Sequence, residues 1–341
     1  MKKFDFKDIT IIPEIISTIE SRNIVNLKTD EGFLPLIVSP MDTVVDRYNY
    51  NKFLNSGFQV CMPRGENVDS DVFISVSLDH FEILLSYEDI FSEDEPPFKI
   101  LVDIANGHMG KLHSLCKKFV QLNFNNKHKL MVGNIAHPKT FKELAKIGVD
   151  YVRVGIGGGS GCLTSANLGV HYPMASLINE CFKIKNEKEY HTKIVADGGF
   201  RNYDDIIKAL ALGADYVMLG GILNKTLESC SKTKLFNFIP LSNENSVYIW
   251  ENLPFLRKYM TKKFRGMSTK EVQKKWGKTE LRTSEGITKT NKVEYTLDGW
   301  TSNFKDYLAS AMSYTNSKNL EEFKQSEIVF ITQNALNRFS K

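Results

Sequence analysis

A single thiol follows a run of glycines in the stretch GIGGGSGCLTSANLGVHYP, residues 155–173. Five of the seven positions 155–161 are glycine, and Cys162 comes directly after them. Glycine admits left-handed backbone and lets the main chain approach a ligand or ion closely, at an entropic cost. The run predicts a tightly wound loop that presents something; a plain connecting loop is the alternative for a glycine run taken alone. A partly exposed thiol at the end of such a loop, near backbone amides or a bound cation, is biased toward the nucleophilic thiolate. The other cysteines sit in ordinary settings. Cys61 lies in an apolar strand-like run, Cys116 and Cys181 in helical patterns, and Cys230 in an inserted region. Buried cysteine is usually just a small hydrophobe, so Cys162 is the candidate nucleophile.

Other small, polar clusters end apolar runs. They read SPMDTV (39–44), VDIANGH (102–108), VGNI (132–135), ADGGF (196–200) and LGGI (219–222). Backbone amides of Gly198 and Gly199, and of Gly220 and Gly221, suit a phosphate dianion at a helix start. Asp197 stands between an apolar run and two glycines, where its carboxylate can accept ribose hydroxyls. The plainer role for it is a cap on the helix that follows.

Something must hold these clusters on one face. Eight short runs rich in Val, Ile, Leu and Phe do so: 34–40, 58–62, 72–78, 98–104, 129–135, 150–156, 192–197 and 215–220. Such runs are expected of parallel strands buried on both faces. Helical patterns separate them, as at 137–149, where Phe141, Leu144, Ala145 and Ile147 form a stripe, and at 202–214. Strict alternation predicts an α/β fold, a (β/α)8 barrel of about 250 residues, with function at the C-terminal strand ends. A doubly wound sheet is the structural alternative.

The last unit departs from the repeat. About eighty residues (222–300) separate LGG from the helical pattern NFKDYLASAMSY, and KVEYTLDG within them predicts a strand and turn. Long excursions at strand ends usually serve function. The segment FSEDEPPFK (91–99) reads as a solvated acidic turn, and no repeat or linker marks a second domain, so residues 1–341 are expected to form one.

The chain of 341 residues is 42% hydrophobic and 25% charged, with a net charge of +4 spread along its length. That balance belongs to a soluble protein and implies no nucleic-acid partner. No run reaches the ~18 apolar residues of a membrane span, and the first residues lack a signal-peptide core. Five cysteines without paired spacing suggest a reducing, cytoplasmic setting.

Taken in order, FDFKDITIIP with the following SR, SPMDTV, VDIANGH, VGN, GIGGGSGCLT, GVHYP, ADGGFRNYDDIIKALALGADYVMLGG, RGMS, SEG and LASAMSY resemble the family of IMP dehydrogenase and GMP reductase. The resemblance implies the same barrel, a Cys162 that attacks C2 of a purine nucleotide, and a monovalent cation, commonly potassium. Carbonyls of Gly157, Gly159 and Cys162 would hold that cation. No regulatory insertion follows the second run, and RGMS and SEG are only 15 residues apart with no Arg-Tyr pair between them. Both traits resemble the reductase branch, which implies NADPH-dependent reductive deamination of GMP to IMP and ammonia through a covalent thioimidate. Thr164 and Glu285 would then relay a proton to the departing amine. Their plainer roles are a hydroxyl bonded to the loop backbone and a solvated loop carboxylate. By the same resemblance Asp197, Gly198, Gly199, Gly220, Gly221, Gly266, Met267, Ser268, Arg282, Ser284 and Gly286 would contact the nucleotide. Ser21, Arg22, Asp103, Ile104, Ala105, Ile156, Gly157 and the run Ser310, Ala311, Met312 and Ser313 would contact the dinucleotide. Because some of these lie near the chain's extremities, a neighbouring subunit of a homotetramer is expected to complete the site.

Three positions depart from the family pattern. Ser165 stands where arginine is usual, Met174 where glutamine is, and Ala309 where arginine is. They bear on the cation geometry, the cofactor grip and the purine preferred. A deoxy or modified guanylate, the dehydrogenase reaction, and a homologue that binds without catalysis are the alternatives.

Overall fold

A computed structural model of the chain describes residues 2–68, 71–123, 125–159, 161, 163–277 and 286–339. A short strand β1 (Ile9–Ile11) comes first. Eight parallel strands then close a barrel: β2 (Leu36–Val38), β3 (Gln59–Met62), β4 (Phe73–Val76), β5 (Lys99–Asp103), β6 (Lys129–Ile135), β7 (Tyr151–Val154), β8 (Lys193–Asp197) and β9 (Tyr216–Leu219). Each lies inside one of the eight apolar runs, and β9 pairs back onto β2 with Leu219 opposite Val38. The barrel is therefore closed and not a doubly wound sheet.

Helices cover the outside for the reasons their sequences give. The helix Pro138–Ile147 starts with proline, whose missing N–H is no loss at that position. His137 caps it, accepting from the amide of Lys139 at 3.1 Å. Gly148, at φ 99°, ends it in the left-handed region. In its apolar stripe Phe141 and Leu144 are fully buried against the barrel, and Ile147 is half-buried.

The interior is packed by inward side chains such as Ile37, Cys61, Phe73, Leu101 and Met131. Its N-terminal end is shut. Gln59, Tyr151 and Tyr216 open β3, β7 and β9, are buried, and turn their polar ends to the carboxylate of Glu31. The Tyr216 hydroxyl donates to Glu31 Oε2 over 2.8 Å and shares a hydrogen bond with Thr29 at 2.9 Å.

After β9 the inserted segment builds an antiparallel sheet in the order β11-β10-β12-β13, from β10 (Thr233–Leu235), β11 (Ile239–Pro240), β12 (Met260–Arg265) and β13 (Thr288–Lys292). The predicted strand over KVEYTLDG is displaced. The observed strand ends at Lys292, and Thr296 caps a helix that already begins at Leu297, accepting from Gly299 N at 3.1 Å. Lys262 pins this sheet down. It is buried, and its ammonium donates to the carbonyls of Leu227 (2.8 Å) and Ser229 (2.7 Å) and to the Ser229 hydroxyl (2.9 Å). Burial pulls its pKa down to about 8, only partly opposed by Cys230 and Glu228.

The acidic turn is exposed from Ser92 to Pro97, as expected, but is anchored at both ends. Phe91 is buried and Phe98 stacks on His128 with ring centroids 3.8 Å apart. A last strand β14 (Ile328–Phe330) pairs antiparallel with β1.

Candidate active site

Three strands deliver one charged cluster to the C-terminal mouth of the barrel. Asp103 ends β5, Asp197 ends β8, and Arg153 points inward from β7 between them. Arg153 donates from one terminal nitrogen to Asp103 Oδ1 at 2.7 Å and from the other to Asp197 Oδ2 at 2.8 Å. Burial opposes its charge, but the Asp197 and Asp103 carboxylates outweigh that and hold the guanidinium above its ordinary pKa. A fork of this kind fixes two carboxylates in position as well as in charge. Asn134 completes the frame, donating to Asp197 Oδ2 at 2.7 Å and to the Gly155 carbonyl at 2.9 Å. The Asp197 carboxylate thus faces Asn134 and Arg153, not the start of the next helix.

The glycine-rich loop lies directly on this frame. Gly155, at φ +129°, leaves no room for a side chain, because a Cβ there would fall 2.3 Å from the Asp197 carbonyl. Gly198, at φ +98°, meets the loop from the other side, and a Cβ on it would stand 3.0 Å from Gly159 N. Met174, buried beneath, presses its terminal methyl toward Gly155. Thr164 opens the short helix Thr164–Leu168, and the Ser165 hydroxyl donates to the Gly157 carbonyl at 2.9 Å. Ile156 and Gly157 are half-buried beside it. Cys162, Arg282, Ser284 and Glu285 lie outside the described residues.

Distant stretches meet here. The Ile287 amide donates to the Gly161 carbonyl at 3.0 Å, and the Gly266 amide donates to Ile287 O at 2.9 Å. A Cβ on Gly286 would come within 2.9 Å of the Ser268 hydroxyl. Gly161, Gly266, Ser268 and Gly286, with half-buried Met267 between them, therefore share one patch. Gly220 backs onto the sulfur of Met41, and Gly221 starts the short helix Gly221–Asn224.

The predicted dinucleotide residues divide in two. Asp103, Ile104 and Ala105 sit at the mouth, with the Ile104 amide bonded to Gly133 O at 2.9 Å. Ser21, Arg22 and Ser310–Ser313 form a separate cluster, in which Arg22 donates to the Ser310 hydroxyl at 3.1 Å and Ser313 to the Ser310 carbonyl at 2.8 Å. Met312 is fully buried, and Ala309 is 6% exposed. Among the described hydrogen bonds and ion pairs, none joins this cluster to Asp103 or Gly157.

The sequence reading missed Arg153, Asn134 and Asp42 among the site residues. Arg153 had a signal, a charge inside the apolar run DYVRVGI. Asn134 and Asp42 lay inside quoted motifs, without a stated role. Asp42 receives Arg265 Nε at 3.2 Å and Lys275 at 3.1 Å. Burial would raise its pKa, but Arg265 and Lys275 hold the carboxyl below the usual range. These pairs fasten the inserted segment to the loop after β2. No described helix is long and apolar enough to cross a membrane.

Comparison with known proteins finds one family along the chain. A family model described as the IMP dehydrogenase / GMP reductase domain matches residues 99–339. A GMP reductase of Caenorhabditis elegans is 30% identical over 356 positions, covering 97% of this chain and 92% of that protein. GMP reductase 2 of Homo sapiens is 29% identical over 364 positions, with 99% and 97% covered. A GMP reductase of Buchnera aphidicola is 30% identical over 360 positions, with 97% and 95% covered.

Proposed function

The chain belongs to the IMP dehydrogenase / GMP reductase family, and from that premise we propose that it catalyses the NADPH-dependent reductive deamination of GMP to IMP and ammonia. The observation that carries the choice of branch is the link between RGMS and SEG, 15 residues without an Arg-Tyr pair to activate water. The names of the relatives support the same branch.

In this reading the Cys162 thiolate bonds to C2 of the purine, and the C2–N bond breaks with ammonia taking the electron pair. An amine leaves poorly until protonated, and the proton comes through Thr164 and Glu285. When bound, the reduced nicotinamide dinucleotide supplies a hydride to C2, and the thiolate departs with the C–S electron pair. Asp197 holds the ribose. Glycine amides at the ends of β8 and β9 hold the phosphate.

The residues at the mouth fit a nicotinamide carboxamide, which offers a carbonyl acceptor and an amino group with two N–H donors. The Asp103 carboxylate can accept, and Arg64 Nε is a buried donor without a hydrogen-bond partner among the described residues, 3.7 Å from Asp103 Oδ2. Carbonyls of Gly157, Gly159 and Cys162 are proposed to hold potassium, and a homotetramer to complete the dinucleotide site. Ser165, Met174 and Ala309 favour a second reading in which the substrate is a related guanylate, such as the deoxy form.

One assay tests the proposal. In potassium buffer the protein should oxidise NADPH when given GMP and release ammonia. It should make little XMP from IMP and NAD. Faster XMP formation would reassign it to the dehydrogenase branch.

A further inference from the structure

Trp276 follows the short helix Lys270–Lys275 of the inserted segment, and its ring covers the guanidinium of Arg64 at 4.4 Å. Arg64 stands in the loop after β3 and donates to the main-chain carbonyl of Asp103. The Arg64 side chain is 20% exposed and Trp276 is half-buried, so this stack is partly removed from water. A cation over an indole gains strength under those conditions.

Two guanidiniums therefore serve Asp103, and they are supported differently. Arg153 is locked inside the barrel by the second carboxylate, Asp197. Among the described residues Arg64 has no second carboxylate. It rests against Asp103 on one side and Trp276 on the other. The main chain that carries the ring is held, since Trp276 N bonds to Val272 O at 3.0 Å and neighbouring Lys275 pairs with Asp42 at 3.1 Å. One short helix of the insertion thus touches the loops after β2 and β3 together. Simple surface packing would not need an indole seated on an arginine that lines the cofactor-side carboxylate.

We infer that Trp276 is a positioning residue for the dinucleotide: by covering Arg64 it fixes the Arg64–Asp103 pair that receives the nicotinamide carboxamide. The inference rests on the reading of the mouth as a nicotinamide site.

The test uses the full chain and direct binding. NADPH affinity is read from its own fluorescence and GMP affinity by calorimetry, with melting temperature as a control for folding. Trp276→Ala should weaken NADPH about tenfold and leave GMP within about twofold. Trp276→Phe, which keeps an aromatic face, should recover most of the loss. Arg64→Lys keeps the charge but not the planar stack, and should behave like Trp276→Ala. NADPH affinity unchanged in Trp276→Ala, or equal weakening of both ligands, overturns the inference. A wild type that binds NADPH but does not convert GMP sinks the functional reading alone. A wild type that binds no nicotinamide dinucleotide overturns both.

Discussion

The hydroxyl of Ser165 donates to the carbonyl of Gly157 across the turn of the glycine-rich loop, over 2.9 Å. Gly157 is one of the carbonyls assigned to potassium, and a carbonyl oxygen has two lone pairs. The hydroxyl takes one and draws electron density from the other. Turnover should therefore require a monovalent cation, potassium above lithium, but bind it weakly. Ser165→Ala should lower the half-saturating potassium concentration by about two- to tenfold, the scale of one hydrogen bond. Equal rates in potassium and lithium buffers would count against the cation site.

Cys162→Ala is expected to abolish turnover while nucleotide affinity and melting temperature stay near wild type, because covalent chemistry needs the thiolate. Cys116 is the contrast. It is buried in a helix, with its thiol pushed up to about 12 by burial, and Cys116→Ser should leave the chemistry intact. Turnover within about tenfold of wild type in Cys162→Ala removes the covalent mechanism.

Arg153 serves both ligand sides, so its loss should be felt on both. Arg153→Met leaves two carboxylates facing each other in a buried site, and should cost about 3–5 kcal/mol in denaturant unfolding. Arg153→Lys keeps one charge but cannot fork to Asp103 and Asp197. It should fold, and weaken GMP and NADPH together. A change in only one affinity would show that the two carboxylates are held independently.

Lys262 makes stability depend on pH. Its folded pKa of about 8 lies below the usual 10.5, so between those values the unfolded chain binds more protons than the folded one. Stability should rise with pH through that window, and the penalty of the buried ammonium is fully present below it. Lys262→Met should flatten the rise. Urea midpoints measured from pH 7.5 to 10.5 for both proteins check this; parallel curves would remove Lys262 as the cause.

The barrel was legible because parallel strands buried on both faces must be apolar along their whole length, and eight such runs stand out from their amphipathic spacers. Asp197 was legible for the same reason, as a carboxylate where an apolar run breaks into glycine. Arg153 was visible as a charge but not as a bridge, since its partners lie 50 and 44 positions away and only closure of the barrel brings them within reach. The same holds for Trp276 and Arg64, which sit on different loops. The strand misplaced over 293–295 shows the reverse problem. Val293 and Tyr295 favour a strand locally, but the Thr296 hydroxyl commits the chain to a helix two residues later.

The Glu31 closure at the far end of the barrel has a kinetic consequence. With that end closed by Gln59, Tyr151 and Tyr216 and the interior filled by side chains, the proposed ligands would share the C-terminal mouth and queue at it. Whichever one seats deeper is first in and last out. In the proposed reading the nucleotide, held at Gly198 at the foot of the loop, would be the deeper one. Its product would compete with fresh nucleotide for the empty enzyme, whereas spent dinucleotide would meet a vessel already half filled.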